Sequence, residues 1–110
     1  MEFGLSETIC ATVRRILDQH PEVEKALIYG SRAKGNYKNG SDIDLTLLGD
    51  ALDYSVLSAV AGSLDDSDIP YTVDLSILEQ IENLSLREHI ERVGKVFYER
   101  GRAGEIGGLP

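Results

Sequence analysis

Three aspartates and a glycine–serine turn are the residues of this chain whose types and spacing support chemistry. Asp42 and Asp44 occupy alternate positions in Ser41-Asp42-Ile43-Asp44-Leu45, Gly30-Ser31 precedes them by a short loop, and Asp74 follows in Val73-Asp74-Leu75. Asp42 to Leu48 alternates, with Ile43, Leu45 and Leu47 on one side and Asp42, Asp44 and Thr46 on the other, which predicts a strand with one dry and one chemical face. Residues two apart in a strand point the same way with backbones about 6.5 to 7 Å apart, so the two carboxylates can close on a common ion. Tyr71 to Leu75 alternates again and carries Asp74 on its polar side. On a neighbouring strand Asp74 would bring a third carboxylate to the cleft. Three carboxylates without a basic counter-residue repel unless cations are bound, and hard oxygen ligands select magnesium or manganese.

The loop supplies the complementary half. Gly30 permits backbone angles closed to other residues and leaves room for a phosphate, with outward-pointing amides after it and the Ser31 hydroxyl as a further donor. Arg32 or Lys34 would neutralise phosphate charge, or either would simply face water; the loop alone does not decide between them. Together these parts describe two-metal nucleotidyl transfer. One ion holds the triphosphate and the other lowers the pKa of an attacking hydroxyl. Asp42 and Asp44 touch both ions, Asp74 serves the nucleophile side, and pyrophosphate leaves against the loop donors.

Gly30-Ser31, ten intervening residues and then Asp42-Ile43-Asp44 resemble the signature of the DNA polymerase β-type nucleotidyltransferase superfamily, with Asp74 resembling its third catalytic aspartate. The Gly30-Ser31-Arg32-Ala33-Lys34-Gly35 loop and the short length are most similar to the minimal nucleotidyltransferases (MNT) encoded beside HEPN-domain proteins. The similarity covers roughly Leu5 to Tyr98. It implies a polymerase β-like fold and an antitoxin paired in a hetero-oligomer with a HEPN ribonuclease toxin. It also implies ATP as nucleotide substrate, with AMP passed to a tyrosine on that toxin. A binding antitoxin that masks its partner by contact, and a small-molecule nucleotidyltransferase acting on an antibiotic or metabolite, are the competing readings. The nucleobase and the stoichiometry leave no readable motif.

The positioning elements follow from periodicity. Leu5, Ile9, Cys10, Val13, Ile16 and Leu17 predict a helix over Ser6 to Gln19, and Ala26 to Tyr29 is a buried strand stopped by Gly30. Ser31 to Lys34 opens a short helix. Leu52, Val56, Leu57, Val60, Ala61 and Leu64 mark a helix capped by Asp53, and the acidic run Asp65, Asp66, Asp68 before Pro70 is a solvated turn. Leu84, Leu86, His89, Ile90 and Val93 predict a helix ending at Gly94, and Lys95 to Tyr98 a final edge strand. The fold class is α/β (α+β): a small mixed sheet of about four strands with helices packed on one face and the other open for substrate.

The 110 residues form one domain, 1–100, with a glycine-rich tail at 101–110 expected to be flexible. A net charge of −8 argues against direct nucleic-acid binding, and against it Arg32, Lys34 and Lys38 cluster in the loop where a small anion would sit. The single cysteine, Cys10, cannot form an internal disulfide and lies on the first helix's apolar stripe; with no leader pattern the chain reads as cytoplasmic. No apolar run approaches the roughly 18 to 20 residues of a membrane span. Other motifs fail. Asn36 and Tyr37 stand where a P-loop needs Lys and Ser or Thr, Asp42-Ile43-Asp44 lacks the further ligands of an EF-hand, and His20 and His89 have no metal-ligand spacing, so they read as surface or core. Among the tyrosines, Tyr37 is the candidate for stacking on a base.

Overall fold

The computed structural model describes residues 1–101. The order is α1 Glu7–Asp18, β1 Lys25–Tyr29, α2 Gly30–Lys34, β2 Ile43–Leu48, α3 Tyr54–Asp65, β3 Val73–Ile77, a 3-10 turn Leu78–Gln80, α4 Leu84–Val93 and β4 Lys95–Glu99. This is the expected succession, and most of the flexible tail expected at 101–110 lies outside the described residues. Side-chain oxygens cap the longer helices: Ser6, Asp53 and Asn83 each accept the amide three residues on, at 3.2, 2.9 and 3.0 Å. Gly94 ends α4 in extended geometry with negative φ, not the left-handed turn usual for a closing glycine. A Cβ there would strike the Ile90 carbonyl, which accepts the Gly94 amide at 2.7 Å.

The sheet runs β3-β2-β1-β4, with β1 antiparallel to both β2 and β4 and β2 parallel to β3. Parallel neighbours require a crossover, and α3 provides it. β3 begins two residues later than the alternation suggested. Tyr71 is turned against Arg32, and Thr72 contributes its carbonyl to the Ile43 amide at 2.9 Å. The later start leaves the alternation unchanged, and in register with Asp44 the Asp74 side chain keeps its predicted face.

Ala26, Ile28, Ile43, Leu45 and Leu47 form the dry face of the sheet, packed in one core with Cys10, Val13, Ile16 and Leu17 of α1 and Val60 and Leu64 of α3. β4 joins through a bulge: Ala26 pairs with Tyr98 but Leu27 with Val96, so Phe97 is the extra residue and two successive aromatics are buried. Arg14 secures the bulge, its Nε donating to the Phe97 carbonyl at 2.8 Å and its guanidinium lying 4.5 Å from the ring centroid. α4 packs on β1 and α2, and its His89 ring meets Tyr29 edge-on, so the β1 end of the second face is covered. Asp42 and Asp74 remain exposed towards β2 and β3.

Candidate functional site

Strand register assembles the polar face. Tyr29 lies opposite Asp44 across β1 and β2, Asp44 opposite Asp74 across β2 and β3, and Thr46 opposite Ser76 one step further along. Residues directly opposite share a face, so the carboxylates of Asp44 and Asp74 stand side by side. Behind them the Ser76 hydroxyl donates to Thr46 Oγ1 at 2.9 Å, and Thr46 is fully buried, giving the pair a fixed floor. Burial first, and then the nearby carboxylates of Asp74 and Asp42, push the Asp44 pKa up, while His89 and Arg32 pull it the other way. Among the described residues no lysine or arginine is ion-paired with any of the three aspartates.

The structure brings two of the three carboxylates together. Asp42 stands at the mouth of β2, outside the ladder, and among the described residues no three acidic, imidazole or thiol groups form a metal cage on their own. The donor set still fits a hard divalent cation, because such an ion takes one or two carboxylates and completes its shell with phosphate oxygens and water. The weakened acidity of Asp44 has a related origin: burial first, and then negative charge gathered without a counter-ion.

Gly30 faces this pair. Its φ is +73°, and a Cβ at this position would collide with Asp44 Oδ2, so both the backbone angle and the space demand glycine. Its amide donates to His89 Nε2 at 3.2 Å. His89 is therefore the site residue that sequence reading missed. It is 59 positions from Gly30, and only the packing of α4 on β1 places it there. The Ser31 carbonyl accepts the amides of Gly35 and Asn36, at 2.9 and 3.2 Å, closing α2 through the left-handed Gly35, while its hydroxyl makes no hydrogen bond to any described residue.

Arg32 departs from expectation. It is 3 % exposed, its Nε and Nη2 donate to the Ser41 carbonyl at 3.1 and 2.7 Å, and its Nη1 donates to the Phe3 carbonyl at 2.9 Å. The guanidinium carbon lies 4.7 Å from the Tyr71 ring centroid and 5.3 Å from that of Tyr37. It is a backbone clamp: three of its five N–H donors are spent on main-chain carbonyls, and it is almost fully buried. Lys34 and Lys38 are both exposed and, among the described residues, without an ion-pair partner, which leaves them as the free cations of the loop. Tyr37, the candidate base-stacking ring, instead lies over Arg32 and against Gly4.

These are the features of a nucleotidyltransferase. Residues 11–103 match the family model described as Polymerase beta, Nucleotidyltransferase, and the chain belongs to that family. It is 31% identical over 96 residues to the probable protein adenylyltransferase MntA of Haemophilus influenzae, covering 86% of this chain and 83% of that protein. It is 35% identical over 78 residues to the folate synthesis bifunctional protein of Arabidopsis thaliana, covering 66% of this chain but spanning only 15% of that protein's length. Among solved structures it resembles a mutant of the toxin–antitoxin MntA-HpeT, at 26% identity and a TM-score of 0.63 over 93% of this chain and 79% of that one. It shares its fold with a chain from the complex of a tri-AMPylated Shewanella oneidensis HEPN toxin and its MNT antitoxin. There the identity is 20% and the TM-score 0.58, again over 93% and 79% of the two chains.

Proposed function

We propose that this chain is a protein adenylyltransferase that passes AMP from ATP to a hydroxyl of a HEPN-type toxin, and so acts as the antitoxin of that partner. The observation that carries the reading is the contact of a left-handed Gly30 with Asp44, itself in register with Asp74. The similarity to a probable protein adenylyltransferase over most of both chains supports the same activity.

In this reading Gly30 and Ser31 receive the triphosphate, Lys34 neutralises its outer charge, and Asp42, Asp44 and Asp74 hold magnesium or manganese. The bound ion supplies charge neutralisation and a more acidic acceptor hydroxyl. The acceptor oxygen bonds to the α-phosphorus, the bond to pyrophosphate breaks, and the hydroxyl proton passes to Asp74 or to water. Asp74 suits that role because it is the exposed member of the pair, on the edge strand where an acceptor can enter.

Intact-mass measurement of the chain co-expressed with its HEPN partner tests the proposal. The expected result is a partner heavier by one or more AMP groups, lost when Asp42 and Asp44 are both changed to alanine. An unmodified partner that the double variant still neutralises would make this a masking antitoxin instead.

A further inference from the structure

Asp42 is the aspartate that the sheet ladder does not hold, yet its backbone is pinned on both sides. The peptide before it ends in the Ser41 carbonyl, gripped by two Arg32 donors, and the peptide after it begins at the Ile43 amide, bonded to the Thr72 carbonyl at 2.9 Å. The turn leading in is closed as well: the Ser41 amide donates to the Lys38 carbonyl at 3.0 Å and the Lys38 amide to Ser41 Oγ at 2.9 Å. Arg32 itself cannot swing, since it lies against Tyr71 and Tyr37 and its third contact holds the Phe3 carbonyl of the amino-terminal turn.

We infer that Arg32 is a positioning residue, a strut from α2 that fixes Asp42 relative to Asp44 for metal binding. The inference rests on the reading of these aspartates as metal ligands. Two peptide planes meet at the Asp42 Cα, and fixing both fixes its φ and ψ; releasing one lets the carboxylate wander from the ion. A planar fork is needed because one carbonyl takes two donors while a second carbonyl takes a third, an arrangement that an ammonium cannot copy. Groups that orient a metal ligand commonly contribute tenfold or more to affinity.

The test is Mn(II) binding by calorimetry, without nucleotide, to wild type, Arg32→Lys and Arg14→Ala. Arg14→Ala removes an arginine clamp on β4, away from the aspartates, and reports the effect of lost stability alone. Expected is an Mn(II) dissociation constant raised about tenfold in Arg32→Lys and unchanged in Arg14→Ala. Equal affinity in wild type and Arg32→Lys overturns the strut, as does an equal loss in both variants. A raised KM for ATP with Mn(II) affinity intact would return Arg32 to a phosphate role and also overturn it. If wild type binds no Mn(II), the metal reading itself fails and the strut with it. Should Arg32→Lys not fold, Tyr71→Leu decides, because it removes the ring that holds the guanidinium in place: a raised Mn(II) dissociation constant supports the strut and an unchanged one overturns it.

Discussion

Asp44 carries the tension of the site. Its carboxyl is half-buried beside two others, and its pKa lies above the ordinary value of 3.8. The fold therefore favours the protonated form. The stability tied to that preference is fully present below the unfolded value and is lost as pH rises through the raised folded value. Asp44→Asn mimics the protonated carboxyl at every pH. In metal-free buffer the variant is expected to melt higher than wild type at neutral pH, by on the order of a few degrees, and the gap should close as pH falls below about 4. Thermal melts across pH check this, and a gap independent of pH would show that ionisation is not its source. The same variant should lose Mn(II) binding, so that stability and function move in opposite directions at one residue.

Among the elements, the joint between α1 and β4 holds the frame. Arg100, just past β4, donates to the carbonyls of Val23, Leu17, Asp18 and His20 at 2.9 to 3.2 Å, serving the end of α1 where backbone oxygens lack helical partners. Arg100→Ala should cost about 2 to 3 kcal/mol, read as a lower urea midpoint at unchanged slope, because several charged hydrogen bonds are lost at once. The elements themselves were foreseeable where one periodicity ran unbroken. Ile43, Leu45 and Leu47 against Asp44 and Thr46 described β2, and the same alternation placed Asp74 on the right face although β3 begins later than its pattern did. Arg32 and His89 were not foreseeable. The fate of Arg32 depends on a turn at Phe3 and a carbonyl at Ser41, and that of His89 on which face α4 covers; neither is encoded in local spacing. Charge near a glycine loop suggested a phosphate ligand, but backbone carbonyls within reach of a buried fork took precedence.

Across the whole molecule, 19 acidic and 11 basic residues leave a surface whose field gathers cations, with Lys34 and Lys38 as positive points in the stretch after Gly30. Binding energy for a metal-nucleotide pair should appear as stability, since only the native chain builds the site. At a ligand concentration about one hundred times the dissociation constant the gain is about 2.7 kcal/mol. Magnesium with ATP should therefore raise the melting temperature by several degrees, magnesium alone by less, and a chelator should reverse both. Differential scanning fluorimetry of the purified chain is sufficient; a transition indifferent to both additions would count against the nucleotide site.

The parallel pairing of β2 with β3 also sets when the protein becomes competent during synthesis. Gly30 and Asp44 leave the ribosome well before Asp74, and a parallel partner reached through a crossover helix closes a long loop before its contacts reward it. A chain stalled anywhere before Val73 would display the whole Gly30-to-Asp44 signature, with Tyr29 beside Asp44 on one side but no Asp74 on the other. A nascent chain thus completes its row of carboxylates only once β3 has docked on β2.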